Sequence, residues 1–124
     1  MSLTEVLVST VIFAVGILGL LSANATAFQT FSDAKYRVDA ALLADKLLGE
    51  IWVDRANVAL YSHAGGMGYS MPKIAPWLGE VNAALPAPNA TVVVAGTQVT
   101  VTVMWQPAGA QQRQHTAVAT LQEP

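Results

Sequence analysis

The first part of the chain is hydrophobic on every side of the helix that it would form. From Val6 to Leu21 the sequence is VLVSTVIFAVGILGLL, and its polar or small interruptions are Ser9, Thr10, Gly16 and Gly19. At ~1.5 Å per residue, a helix from Val6 through Ala23 spans about 27 Å, close to the ~30 Å hydrocarbon core of a bilayer. Because no face is polar, the pattern predicts a helix surrounded by lipid, by similar helices, or by each in turn.

After Phe31 the pattern becomes amphipathic. No proline occurs before Pro72, so one helix is predicted from about Ser2 to about Ala59. Its second half is expected to pack on a head domain through Ala40, Ala44, Leu47, Leu48, Ile51 and Val58. The opposite face is expected to be solvated, with i,i+4 ion pairs Lys35/Asp39 and Lys46/Glu50. The predicted domains are therefore a membrane or filament helix at 1–30 and a head at 31–124.

A loop rich in glycine and proline separates this helix from a predicted sheet. The loop opens at His63–Gly68, and a short helix is predicted over Pro76–Leu85. Strands rich in β-branched residues are predicted at Ala90–Val94, Val99–Trp105 and His115–Leu121, with a turn at Ala95–Thr97. The predicted fold class is α+β, a long N-terminal α-helix with an apolar first half packed on a small three-stranded antiparallel β-sheet.

Composition and charge support the division into an apolar leader and a polar body. Hydrophobic residues make up 53% of the chain and charged residues 11%, against ~45–50% and ~25% in average soluble domains. Glu5 is the single ionisable side chain among the first 32 residues. The net charge is −2 and the six basic residues are scattered among carboxylates, so no direct nucleic-acid binding is predicted. There is no cysteine, hence no disulfide framework.

The chain lacks the residue clusters that catalysis requires. His63 and His115 lie far apart, no group of His, Asp and Glu has metal-ligand spacing, and there is no cysteine nucleophile. His63 is interpreted as a loop residue and His115 as an exposed strand residue. The glycine-rich loop follows a helix and contains no GK[ST], which excludes a phosphate-binding loop. We expect no enzyme activity, no cofactor and no metal.

Two other interpretations of the apolar segment are disfavoured. A secretory signal peptide has a basic region before its apolar stretch, whereas Met1–Glu5 contains neither Lys nor Arg. A buried core helix would need protein on all sides, and the rest of a 124-residue chain is too short to surround it. We therefore expect the segment to be retained as an anchor.

Glu5 adds a specific feature to this anchor. A carboxylate at the edge of hydrocarbon costs a few kcal/mol and is normally kept where a partner compensates it. The candidate cations are the α-amino group of Met1 and the equivalent amine of a neighbouring subunit. Alternatively, Glu5 lies in the interfacial layer, favoured there by the helix dipole.

The segment Met1–Val8, followed by Val11–Leu20, resembles the mature N-terminus of type IV pilins and pseudopilins. In that family a glutamate stands at the fifth position, before an uninterrupted apolar helix. The resemblance implies that Met1 is the processed, N-methylated first residue, and that Glu5 pairs with the N-terminal amine of an adjacent subunit during assembly. The chain has Met1 where Phe is commoner and Ser22 where many major pilins have proline. Gly16 and Gly19 are candidates for local loosening of the helix.

The body resembles PilV-type minor pilins in the order and spacing of several segments, which are Ala40–Leu48, Ala56-Asn57, Tyr61, Trp77, Leu85-Pro86 and Val99–Trp105. This resemblance implies a structural minor pilin in, or priming, a type IV pilus. Its partners would be inner-membrane lipid before assembly and other pilins in a helical filament afterwards. The implied location is the bacterial inner membrane, then the cell-surface pilus. Two alternatives stay open, a GspI-like minor pseudopilin of type II secretion and a membrane-anchored surface-binding module.

Overall fold

The computed structural model describes residues 2–68 and 71–122. Two α-helices, α1 (Leu3–Val53) and α2 (Ala75–Ala84), are separated by a 3₁₀ helix at Arg55–Tyr61. Three strands follow, β1 (Asn89–Ala95), β2 (Gln98–Trp105) and β3 (Arg113–Thr120). The α+β prediction is confirmed, whereas a likeness to the pilin fold stays a prediction. By its contacts the chain divides into two units, Met1–Lys35 and Tyr36–Pro124, each described here by itself.

The first unit contains the N-terminal part of α1. Every residue from Ser2 to Ser32 is exposed, so the apolar side chains have no cover from their own chain. Three threonine hydroxyls, those of Thr10, Thr26 and Thr30, donate to the carbonyl four residues earlier at 2.9–3.1 Å. Such back-bonding satisfies the hydroxyl donor within the helix. These three polar positions therefore do not require water or a partner.

The second unit is built around one face of α1. Ala40, Ala44, Leu47 and Ile51 are fully buried at helical spacing, as the amphipathic pattern predicted. They belong to the same core as the alternate residues of β2, which are Val99, Val101, Val103 and Trp105. Helix α2 contributes Trp77, Leu78 and Val81, and the Trp77 indole N–H donates to the Leu43 carbonyl at 2.8 Å. Helices α1 and α2 and strand β2 thus each bury one face in the same core.

The sheet has the order β1-β2-β3 with both pairs antiparallel. The three predicted strands are confirmed, although β3 begins at Arg113 and not at His115. Gly96 starts the two-residue turn between Ala95 and Gln98 with φ +61°, the left-handed conformation that glycine adopts without a Cβ clash. That turn sets the register of β1 against β2, because the loop length fixes which residues pair.

The predicted end of the long helix is wrong. The α-helix stops at Val53, and the chain continues as the 3₁₀ helix where α-helix had been predicted up to Ala59. The Asp54 carbonyl accepts the Asn57 N–H at 2.9 Å, and the Asp54 carboxylate accepts the Asn57 amide at 2.8 Å. The backbone bond spans three residues, as in a 3₁₀ helix, and the side-chain bond joins the same two residues. Both bonds stabilise the tighter turn that follows Val53.

Candidate assembly site at Glu5

Glu5 lies in the first turn of α1 and is paired with Ser2, the residue that precedes the helix. The Glu5 N–H donates to the Ser2 hydroxyl oxygen at 3.3 Å, and the Ser2 N–H donates to Glu5 Oε2 at 3.4 Å. This reciprocal arrangement is a capping box, in which two backbone donors left over at a helix start are both satisfied. The spacing Ser-Leu-Thr-Glu was visible in the sequence, yet Ser2 was not among the predicted site residues.

The capping box leaves the Glu5 carboxylate able to accept further bonds. An ionised carboxylate has about four acceptor positions, and the Ser2 N–H occupies one of them. Glu5 is exposed, and no Lys or Arg occurs in the sequence before Lys35. The described residues before Lys35 therefore offer this carboxylate no cationic side chain. Met1, the predicted processed residue, lies outside the described residues.

Glu5 is followed by a predominantly apolar surface. The large hydrophobic side chains that this surface exposes are Val6, Leu7, Val8, Val11, Ile12, Phe13, Val15, Ile17, Leu18, Leu20 and Leu21. Within the described part of the chain, α1 is the one helix long and apolar enough to cross a membrane, and none of its most apolar window is buried. This helix is compatible with a transmembrane anchor.

Gly16 and Gly19 lie inside continuous α-helix on this surface. A Cβ placed on either glycine would meet nothing within 4 Å in the chain itself. Contacts within the chain therefore give no reason for glycine at these positions. Local loosening of the helix there stays a prediction.

The two histidines lie at structural positions, His63 bonded to the sheet and to its own loop and His115 within a strand. The backbone of His63 pairs with Val92, and its ring Nε2 lies 2.8 Å from the Gly66 carbonyl oxygen. His115 lies on β3 as predicted but is half-buried and not exposed. Among the described residues no group of three or more His, Asp and Glu side chains has the geometry to hold a metal ion.

Two ion pairs join segments that are distant in sequence. The Lys73 ammonium donates to Asp54 Oδ2 at 2.7 Å, and the Tyr61 hydroxyl donates to the same oxygen at 3.0 Å. The hydrogen bonds from Lys73 foremost, then from the Asn57 amide and from Tyr61, lower the pKa of Asp54 to about 2. Lys46 contacts Glu80 of α2, a partner that the predicted i,i+4 pairing with Glu50 did not identify. Sequence spacing had no means of revealing either contact, because both depend on tertiary packing.

The chain matches no protein-family model, no curated protein and no solved structure. The interpretation of Glu5 and of the exposed helix therefore rests on the residues themselves.

Proposed function

We propose that the chain is a structural, non-enzymatic subunit of the type IV pilin-like class, a minor pilin resembling PilV. The observation that carries this proposal is an exposed and predominantly apolar first half of α1 with one carboxylate in its first turn. In this proposal α1 lies first in the bacterial inner membrane and then in a helical filament made with other pilins. The second unit forms the part of the subunit presented at the cell surface.

The surface of the first unit suits transfer between lipid and a bundle of helices. Lipid tails and apolar side chains are similar solvents, so exchanging one for the other carries no large hydrophobic penalty. The hydroxyls of Thr10, Thr26 and Thr30 are satisfied by their own helix and need no new partner in either environment. Assembly then depends on packing and on the few polar contacts available, of which Glu5 offers the charged one.

Glu5 would set the register of assembly. An uncompensated carboxylate near hydrocarbon is costly, and a neighbouring subunit's N-terminal amine at the same depth would neutralise it. Only one axial offset between two helices brings these groups together. The contact would therefore favour the correct register over the others that a featureless apolar surface allows.

The test replaces Glu5 by glutamine. Glu5→Gln removes the charge but keeps an oxygen that accepts the Ser2 N–H, because glutamine also forms capping boxes. We expect normal membrane insertion, measured by alkaline extraction, and reduced incorporation of the subunit into sheared filaments. Glu50→Gln, on the exposed second part of α1, is the matched control and should assemble normally. Normal incorporation of Glu5→Gln would remove the role assigned to this carboxylate.

A second variant tests whether the apolar surface packs against other helices. Gly16→Ala introduces a methyl group that meets nothing in the chain and raises helix propensity by ~1 kcal/mol. If neighbouring helices approach closely at Gly16, the variant should insert in the membrane normally and assemble less. Unchanged assembly of both Gly16→Ala and Gly19→Ala would argue against close helix packing at these positions.

The type of filament is tested by copurification. Whether a type IV pilus or a type II secretion filament copurifies with the chain distinguishes the minor pilin from the minor pseudopilin.

A further inference from the structure

The segment Ser62–Gly68, here called the strap, lies against the middle of the β1 edge. The His63 N–H donates to the Val92 carbonyl at 3.0 Å, and the Val92 N–H donates to the His63 carbonyl at 2.9 Å. The Gly66 N–H also donates to Asn89 Oδ1 at 2.7 Å. Because Val92 is the central residue of β1, the strap covers this edge at its midpoint.

The strap has few apolar contacts of its own. No residue of the strap is buried, and Met67 is the one hydrophobic side chain within it that packs partly against the core. Its three glycines, Gly65, Gly66 and Gly68, gain much backbone freedom in any open state. Segments with exposed hydrogen bonds and little buried surface are the ones that open most easily. The strap is therefore held on β1 by hydrogen bonds more than by burial.

The residues on either side of the strap are held in a different way. Tyr61 comes directly before it and is 5% exposed, and Ile74, shortly after the loop, is 0% exposed. Both side chains belong to the core of the second unit. An opening of the strap can therefore stop at these two residues and leave the core folded.

One oxygen atom binds residues on both sides of the strap. Asp54 Oδ2 accepts the Tyr61 hydroxyl at 3.0 Å and the Lys73 ammonium at 2.7 Å. Asp54 Oδ1 accepts the Asn57 amide at 2.8 Å, which holds the carboxylate in place. Since both flanks are fixed, less chain has to be ordered when the strap forms its bonds to β1. The Lys73 and Asp54 side chains are 42% and 27% exposed, so solvent weakens the ion pair and keeps it reversible.

We propose that the strap is a conformational device that opens from β1 as one unit while the core stays folded, and that Asp54 holds it closed through Tyr61 and Lys73. Opening frees the N–H and C=O of Val92, the backbone groups through which an edge strand can pair with another strand. The Asp54 contacts therefore determine how often the middle of the β1 edge is uncovered. This inference concerns the second unit alone and does not depend on whether α1 enters a filament.

Hydrogen exchange of backbone amides, followed by nuclear magnetic resonance on the full-length chain in detergent micelles, tests the separate opening. The amides of His63, Gly66 and Val92 report the strap, and those of the central strand β2 report the core. At low urea the strap amides should exchange at nearly constant rates, since a local opening exposes little surface, whereas β2 amides should exchange faster as urea rises. An equal urea dependence of both groups would mean that the strap opens only with global unfolding, and would overturn the proposal.

The role of Asp54 is tested by removing its two donors one at a time. Tyr61→Phe deletes the hydroxyl but keeps the buried ring, and Lys73→Met deletes the ammonium but keeps a side chain of similar length. Each variant should raise the exchange rates of the strap amides severalfold, while protected β2 amides show that the variant is folded.

Lys46→Met is the matched control for Lys73→Met. It removes the ammonium from the other long-range ion pair, that with Glu80, and the two lysine side chains are similarly exposed, at 52% and 42%. The strap amides of Lys46→Met should exchange at the wild-type rate. Wild-type exchange in both Tyr61→Phe and Lys73→Met, or an equal rise in Lys46→Met, would refute the control of the strap by Asp54.

Discussion

The two sides of α1 in the second unit can be compared with one substitution made at two places. Leu47 is 0% exposed in the core, whereas Leu42 is 62% exposed on the same helix. Replacing either leucine by alanine changes the helix propensity by the same small amount, because both residues are strong helix formers. The two variants therefore differ only in what the leucine side chain contacts.

The expected difference follows from burial. Leu47→Ala removes apolar atoms from a packed core and leaves a cavity, which costs ~2–5 kcal/mol. Leu42→Ala should change the free energy of unfolding by no more than about 0.5 kcal/mol, since exposed positions seldom contribute more. For a domain of this size, ~1 kcal/mol shifts Tm by roughly 4–8 °C, so Leu47→Ala should lower Tm by about 10 °C or more.

Thermal unfolding of the full-length chain in detergent micelles measures this difference. The near-ultraviolet circular dichroism of the buried Trp77 and Trp105 reports the core of the second unit and not the apolar helix. Equal shifts for Leu47→Ala and Leu42→Ala would contradict the assigned orientation of α1. A larger shift for Leu42→Ala would mean that the opposite face is the buried one.

Three further predictions concern the cap, the polar cluster and the turn. Ser2→Ala should cost ~0.5–2 kcal/mol of local helix stability and speed hydrogen exchange of the first-turn amides, whereas Ser9→Ala should leave those amides unchanged. Because the pKa of Asp54 is lowered to about 2 in the folded state, its contribution to stability is present above about pH 4 and lost as the pH falls toward 2. Asp54→Asn should therefore unfold at a lower Tm than the wild type at pH 6 but at a similar Tm at pH 2, and a constant difference between them would contradict this origin. Gly96→Ala should lower stability by ~1–2 kcal/mol, because its φ of +61° disfavours a Cβ, and an unchanged denaturant midpoint would exclude that conformation.

Much of the fold was predictable because hydrophobic periodicity determined it. Burial of Ala40, Ala44, Leu47 and Ile51 follows from their spacing, and the alternation of valine and threonine in β2 identifies its inner face. Helix α2 begins and ends within one residue of the prediction, since Pro76 lies in its first turn and Pro86 follows its end. Local patterns of this kind suffice where one face of an element must be buried.

The features that the sequence did not predict depend on local side-chain hydrogen bonds or on contacts between segments that are distant in sequence. The end of α1 at Val53 reflects side chains of Asp54 and Asn57 that bond locally, a preference that a helical hydrophobic pattern does not show. The pairing of Lys46 with Glu80 and of Asp54 with Lys73 needs the tertiary fold to bring the groups together. At the candidate site the apolar run and Glu5 were predicted from hydrophobicity and charge, whereas Ser2 contributes through the hydrogen bonds of a capping box, which neither pattern shows.

The capping box at Ser2 and Glu5 has a consequence for recognition. A glutamate on a free surface samples many rotamers, and fixing such a side chain opposes binding by up to ~2 kcal/mol of lost entropy. Here the bond from the Ser2 N–H restricts Glu5 before any other molecule arrives. In the proposed assembly an approaching ammonium group would therefore meet an acceptor that is already oriented, and less of its binding free energy would be spent on ordering the side chain.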